Sequence, residues 1–139
     1  MNRAQGTFVV NMAPQPADTS GVARFALQKA FTGDLAGSSS GLMLSAGDPG
    51  KGEAGYVALE TVTATLAGRS GGFALQHSGT MSGGSQNLKI TVVPGSGSAD
   101  FAGISGQMEI SITGGTHHYV LHYAIPASPW TATRPRPDA

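Results

Sequence analysis

The stretch Tyr56-Val57-Ala58-Leu59-Glu60-Thr61-Val62-Thr63-Ala64-Thr65-Leu66, then a turn at Gly68-Arg69-Ser70-Gly71-Gly72, then Phe73-Ala74-Leu75-Gln76-His77-Ser78-Gly79-Thr80-Met81, decides how this chain is read. Both halves alternate with the two-residue period of a β-strand, which sends successive side chains to opposite faces. In the first half Tyr56, Ala58, Glu60, Val62, Ala64 and Leu66 share one face, and Val57, Leu59, Thr61, Thr63 and Thr65 share the other. In the second half Phe73, Leu75, His77, Gly79 and Met81 fall together. The two halves read as a hairpin whose inner face holds Leu66 and Phe73. An acid, Glu60, and an imidazole, His77, are carried inward with them. Buried ionisable groups are costly unless paired, so function is sought there.

The same alternation extends along the chain. Residues 7–12 place Phe8, Val10 and Met12 inward. Residues 24–35 place Phe25, Leu27, Lys29, Phe31 and Leu35 on one face, which takes Lys29 inside. Residues 42–46 form a short strand, and residues 87–93 turn Leu88, Ile90 and Val92 inward. Residues 104–112 align Ile104, Met108, Ile110 and Ile112, and the last strand aligns His117, Tyr119, Leu121, Tyr123 and Ile125. Between these lie a proline loop at 14–21, a turn at Ser38-Ser39-Ser40-Gly41, a glycine-rich loop at 47–55 expected to be a mobile lid, and turns at 94–98 and Gly114-Gly115. No segment combines a helical period with caps.

Glycine supplies 21 of 139 residues, about twice the usual ~7%. It falls between the alternating segments, where tight turns and bulges need it. Eight strands in meander order predict an all-β, eight-stranded antiparallel barrel of lipocalin-like topology, because closure removes exposed edges. A β-sandwich is the alternative. Residues 1–125 form the single domain. Residues 126–139, with four prolines, are a C-terminal tail that either drapes over the barrel, anchored by Trp130, or stays disordered.

Eight basic residues balance eight acidic ones, so there is no electrostatic footprint for nucleic acid or an anionic membrane. Charged residues make up 12% of the chain, against the usual ~25%, which fits a homo-oligomer that hides surface. The absence of cysteine excludes disulfides, thiolate metal sites and a cysteine nucleophile. No apolar run approaches the ~20 residues of a membrane helix, and residues 1–6 lack a signal-peptide core, so a cytoplasmic protein is expected.

Five blocks occur in order: Phe31-Thr32-Gly33-Asp34-Leu35-Ala36-Gly37, Met43-Leu44-Ser45-Ala46-Gly47, Ala54-Gly55-Tyr56-Val57-Ala58-Leu59-Glu60, Leu75-Gln76-His77-Ser78-Gly79-Thr80-Met81 and Val92-Val93-Pro94-Gly95-Ser96-Gly97. Together they resemble a bacterial family of small proteins of unknown function, with an allene oxide cyclase-like barrel, over residues 6–125. The resemblance implies an eight-stranded barrel, often oligomeric, and no established activity. Relatives of that barrel include cyclases that mould an apolar substrate in the lumen. Their catalytic residues do not map onto this chain by motif.

Glu60, His77 and Lys29 are therefore the candidate catalytic residues. His117, Tyr119, Tyr123, Tyr56, Phe31, Met43, Phe73 and Met108 are the candidate ligand-lining residues. An apolar cavity with a few convergent polar groups is the usual form of a small-ligand site. Acid–base isomerisation, cyclisation or lyase chemistry on a small apolar substrate would need no cofactor beyond this set. The alternatives are a non-catalytic binding barrel and a structural oligomer, with Lys29–Glu60 as an ion pair between strands and His77 a hydrogen-bonded core histidine. Glu60 and His77 are expected on opposite walls of a ligand-sized gap. No metal is expected: His117 and His118 point to opposite faces, and His118 and His122 lie about 13 Å apart along the strand.

Overall fold

The computed structural model describes residues 1–126, and the expectations for the proline-rich tail and Trp130 lie outside them. The strands are β1 (Asn2–Pro14), β2 (Ala23–Gly33), β3 (Leu35–Asp48), β4 (Glu53–Leu66), β5 (Arg69–Ser82), β6 (Ser85–Val92), the two-residue β7 (Ser98–Ala99), β8 (Ser105–Thr113) and β9 (Thr116–Ala124). All pairings are antiparallel. Each long strand pairs with its neighbour in sequence, and β9 returns to β1, so eight strands close into a barrel. The ninth, β7, runs beside Gly71 and Gly72 of β5, beyond the point where β6 stops.

The turns are tighter than composition suggests. The β4–β5 connection is Ala67-Gly68 alone, both at positive φ (53° and 78°), the geometry of a two-residue hairpin turn. Arg69 to Gly72, expected as turn, already belong to β5. Ser38-Ser39-Ser40-Gly41 is not a turn either, since β3 runs straight through it, paired on both sides. The β2–β3 reversal falls at Gly33 (φ 98°) and Asp34. Small polar residues resemble a turn in composition. Here they are strand residues because neighbouring side chains must cross over them.

The expected lid at 47–55 is a short hairpin tip with a single 3-10 turn, Pro49–Lys51. Asp48 caps that turn by accepting from the Gly50 N–H at 2.9 Å. The Gly83 N–H donates to Glu53 at 3.1 Å and the Gly84 N–H to the Gly52 carbonyl at 3.3 Å, which fastens the tip to the β5–β6 turn.

The barrel's two ends differ. One end carries Asp34, the Ala67-Gly68 turn and the long 93–104 connection. Phe101 and Ile104 from that connection plug it, together with Leu35, Leu66 and Phe73. The other end carries the tips at 15–22, 49–52, 83–84 and 114–115 and has no plug among the described residues. There the inner-parity residues Met12, Leu88 and Ile112 are exposed. The seam between β6 and β8 is held by two residue pairs only, Ile90–Met108 and Thr91–Gln107. Toward the open end Ser85 to Lys89 and Glu109 to Thr113 run unpaired with each other.

Candidate functional site

Strand register assembles a buried polar cluster at mid-depth. Gly41 of β3 lies opposite Glu60 of β4, and Ser39 opposite both Lys29 of β2 and Val62 of β4. On its inner face β3 therefore offers only glycine and serine between Lys29 and Glu60, and their side chains meet across it. A Cβ added at Gly41 would lie 2.8 Å from the Glu60 Cβ, so this close approach requires glycine. His77 of β5 faces Ala58 while Glu60 faces Leu75, which makes Glu60 and His77 diagonal neighbours on one face.

Glu60 is the hub. Its Oε1 accepts from Lys29 Nζ at 2.9 Å and from His77 Nε2 at 2.7 Å, and its Oε2 accepts from Ser39 Oγ at 2.6 Å. Burial alone would push the Glu60 pKa up. The hydrogen bond from His77, the Lys29 charge and the Ser39 hydroxyl outweigh it and hold the carboxyl at about 2. The carboxylate is ionised at neutral pH and its acceptor sites are matched to three donors, as a buried charge requires. Lys29 also lies 4.9 Å over the Phe8 ring, a favourable cation–π placement.

Because His77 Nε2 serves a carboxylate, that nitrogen carries a proton, and Nδ1 is turned toward Tyr56. Tyr56 Oη stands 3.3 Å from Nδ1, within hydrogen-bond reach. Tyr56 is half-buried, on the open-end side of His77. Burial, followed by the nearby Glu60 charge, raises its phenol pKa. The Tyr56 ring lies over Gly79, where an added Cβ would stand 2.5 Å from Tyr56 Cε1 and 3.3 Å from Leu88. Glycine at 79 thus lets Tyr56 cross β5 toward β6.

The expected gap between Glu60 and His77 is absent: the two are in direct hydrogen-bonded contact. Lys29, Glu60 and His77 side chains are at most 5% exposed, so the cluster is nearly closed to solvent. Of the expected ligand-lining residues, Phe31, Phe73, Met108 and Tyr123 are buried in the packed core. Tyr119 is committed to the closed end, where it accepts from the Leu35 N–H at 2.9 Å and contacts the Thr32 and Leu35 carbonyls at 2.9 and 3.1 Å. Met43 and His117 are half-buried toward the open end, and the His117 ring stacks 5.1 Å from Phe8. Ser39, Gly41 and Gly79 are hidden in the sequence by their turn-like composition. Phe101 is hidden because it sits in a connection. Counting back from Met43 by twos gives Gly41, Ser39 and Gly37, a signal that would have exposed the narrow inner face.

Among the described residues, no group of three or more His, Asp or Glu side chains is disposed to hold a metal ion. No helix among them is long and apolar enough to cross a membrane. A concave area of about 480 Å³ lies on the outer wall, bordered by the outward-facing Val9, Gln28, Ser38, Ser40, Thr61 and Thr63, with Lys29 and Ser39 of the cluster at its floor.

The family described as "Protein of unknown function (DUF3224)" matches residues 4–123. A solved structure from Shewanella oneidensis MR-1, a protein of unknown function from that family, is similar to this chain at 42% identity. That likeness has a TM-score of 0.85 and covers 92% of this chain and 99% of that one. No curated protein matches.

Proposed function

We propose, for a chain that belongs to the DUF3224 family, that the barrel binds a small, uncharged carbonyl compound at its open end and moves a proton on it without a cofactor. The fold is then an allene oxide cyclase-like barrel, with Tyr56, His77 and Glu60 as an acid–base relay. One observation carries this reading: a continuous hydrogen-bonded line from the buried, ionised Glu60 through His77 to the half-exposed Tyr56 hydroxyl. A carboxylate that orients an imidazole, which in turn accepts from a hydroxyl, is the general arrangement for activating that hydroxyl.

The step balances. The Tyr56 oxygen takes a proton from the carbon next to the carbonyl while its own proton passes to His77 Nδ1. The electron pair of the broken C–H bond becomes the enolate. The imidazolium is stabilised by Glu60, and Lys29 keeps Glu60 ionised. Reprotonation at the same or a conjugated carbon returns the relay to its starting state, which gives exchange or isomerisation.

The test is proton exchange. Methyl pentyl ketone in deuterium oxide is followed by NMR with the wild-type protein and with Tyr56→Phe. Exchange above the buffer rate, lost in Tyr56→Phe while ketone binding persists, supports the relay. Binding without exchange in the wild type moves the protein to the carrier class. No binding overturns the reading.

Assembly with further copies belongs to the same proposal. Leu42 faces Leu59, and Leu44 faces Val57, on the outer wall, and Leu42, Val57 and Leu59 are exposed. Sedimentation at micromolar concentration as a single-chain species would remove this part.

A further inference from the structure

Three features stand beyond the relay. The outer-wall depression is lined mainly by hydroxyls and amides, and the buried charge at its floor, Lys29, is already partnered by Glu60. The outer pair His122–Glu109, at 3.5 Å, is a weakly held surface contact. The third feature, the split seam between β6 and β8, is different because it opens beside the relay.

Pairing between β6 and β8 ends at Ile90–Met108. Ile90 is also the residue facing His77 across β5–β6, so the last closed rung of the seam is the rung at His77. One step toward the open end Leu88 faces Gly79, over which the Tyr56 ring lies. Beyond that rung the two strands run unpaired for five residues each, roughly 16 Å at ~3.3 Å per residue. The inner-parity side chains along this slit are Leu88 (41% exposed) and Ile112 (64% exposed), with Ile110 packed at its base and Gln86 at its outer mouth. Exposed inward-facing aliphatics at an unzipped seam have no partner among the described residues, and water is the poorest solvent for them.

We infer that the slit between β6 and β8 is the ligand's side entrance and the seat of its tail, so that the ligand is a neutral ketone or aldehyde with an unbranched aliphatic chain. This rests on the proposed relay and adds the substrate class and the route. The carbonyl head reaches Tyr56, and the chain lies along the slit over Leu88 and Ile112. An opening bounded by two strands of one sheet suits an unbranched chain better than a branched or ring-bearing one. Its inner face presents no lysine or arginine to hold a carboxylate, and Lys29 is already bound to Glu60.

The chain has no cysteine, so a designed pair is unambiguous. Continuing the seam's register sets Lys89 opposite Glu109. Both are exposed, and neither belongs to the relay. In Lys89→Cys/Glu109→Cys, oxidation staples the slit shut and dithiothreitol reopens it. Affinities for acetone, methyl pentyl ketone and methyl nonyl ketone are read by calorimetry in both states, with staple formation checked by mass spectrometry. Leu88→Trp, which fills the slit without a crosslink, is measured alongside and decides the matter if the staple does not form.

In the reduced protein, affinity should rise about threefold to fourfold per methylene placed along the slit. An isomer of methyl nonyl ketone with a branched terminus should bind at least about tenfold more weakly, because the slit suits it poorly. The oxidised staple and Leu88→Trp should each weaken methyl nonyl ketone about tenfold or more, with reduction restoring the stapled protein. Undiminished long-chain affinity with the slit closed or filled overturns the route while leaving the relay standing. Failure of the reduced protein to bind any ketone overturns both.

Discussion

At the closed end Phe31, Leu35, Leu66, Phe73 and Phe101 are 0–3% exposed, whereas at the open end Met12, Leu88 and Ile112 stand at 44%, 41% and 64%. Apart from Phe101, all of them lie on the inner parity of their strands. Alternation chooses a face. Whether that face is covered depends on a plug and on the neighbouring strands being zipped. The 93–104 connection folds Phe101 into the closed end, 5.7 Å from the Phe73 ring in an edge-to-face contact. At the open end the β6–β8 ladder stops, and none of the described residues covers the aliphatics beyond it. The polar cluster lies between these regimes, dry enough to make its charges interdependent and linked toward the open end by the Tyr56 phenol.

The contrast between the ends is most easily upset at their boundary. Glu60→Ala strands Lys29 in a dry interior and removes the partner of His77 and Ser39. A loss of roughly 3–5 kcal/mol in urea unfolding is expected. Lys29→Met/Glu60→Leu should recover most of it, and a double variant as unstable as the single one would contradict the ion-pair account. Phe101→Ala at the closed end should lose about 3–5 kcal/mol, mostly through the cavity left behind. Tyr119→Phe removes the hydroxyl that serves Leu35 and Thr32, with an expected loss of roughly 1–3 kcal/mol. Ile112→Ser at the open end should change stability by no more than about 0.5 kcal/mol, and a cost comparable to that of Phe101→Ala would abolish the distinction between the ends.

Acid titration sharpens the same boundary. The Glu60 pKa is depressed on folding, from 4.5 to about 2. Its contribution is therefore complete above its unfolded pKa and is lost as pH falls through the interval between those values. Urea midpoints measured across that interval should fall for the wild type. In Glu60→Gln the part of the slope due to this group should vanish, and an unchanged slope would show that other carboxyls dominate.

Much of this molecule is legible without coordinates. Period-two alternation puts Lys29, Glu60 and His77 on the inner face, and all three are there. The same reading yields a closed meander of eight strands. It fails where composition and conformation diverge. Ser38 to Gly41 read as a turn because serine and glycine are common in turns, yet small side chains are what a strand needs when Lys29 and Glu60 must touch across it. The stretch from Arg69 to Gly72 misleads for the same reason: it reads as turn, whereas it continues β5, with Gly71 and Gly72 beside β7. Phe101 lies in a connection with no period to mark it.

Which side chains face inward is written in the chain itself, because the pleat alternates at every residue and needs no distant partner. That Glu60 and His77 touch at 2.7 Å, that Tyr119 serves the closed end and Tyr56 the relay, and that β6 and β8 part beside His77 emerge only once the barrel is assembled. Those facts depend on the register between strands and on where a ladder ends. Both are set by contacts between residues far apart in the chain, which no local pattern contains.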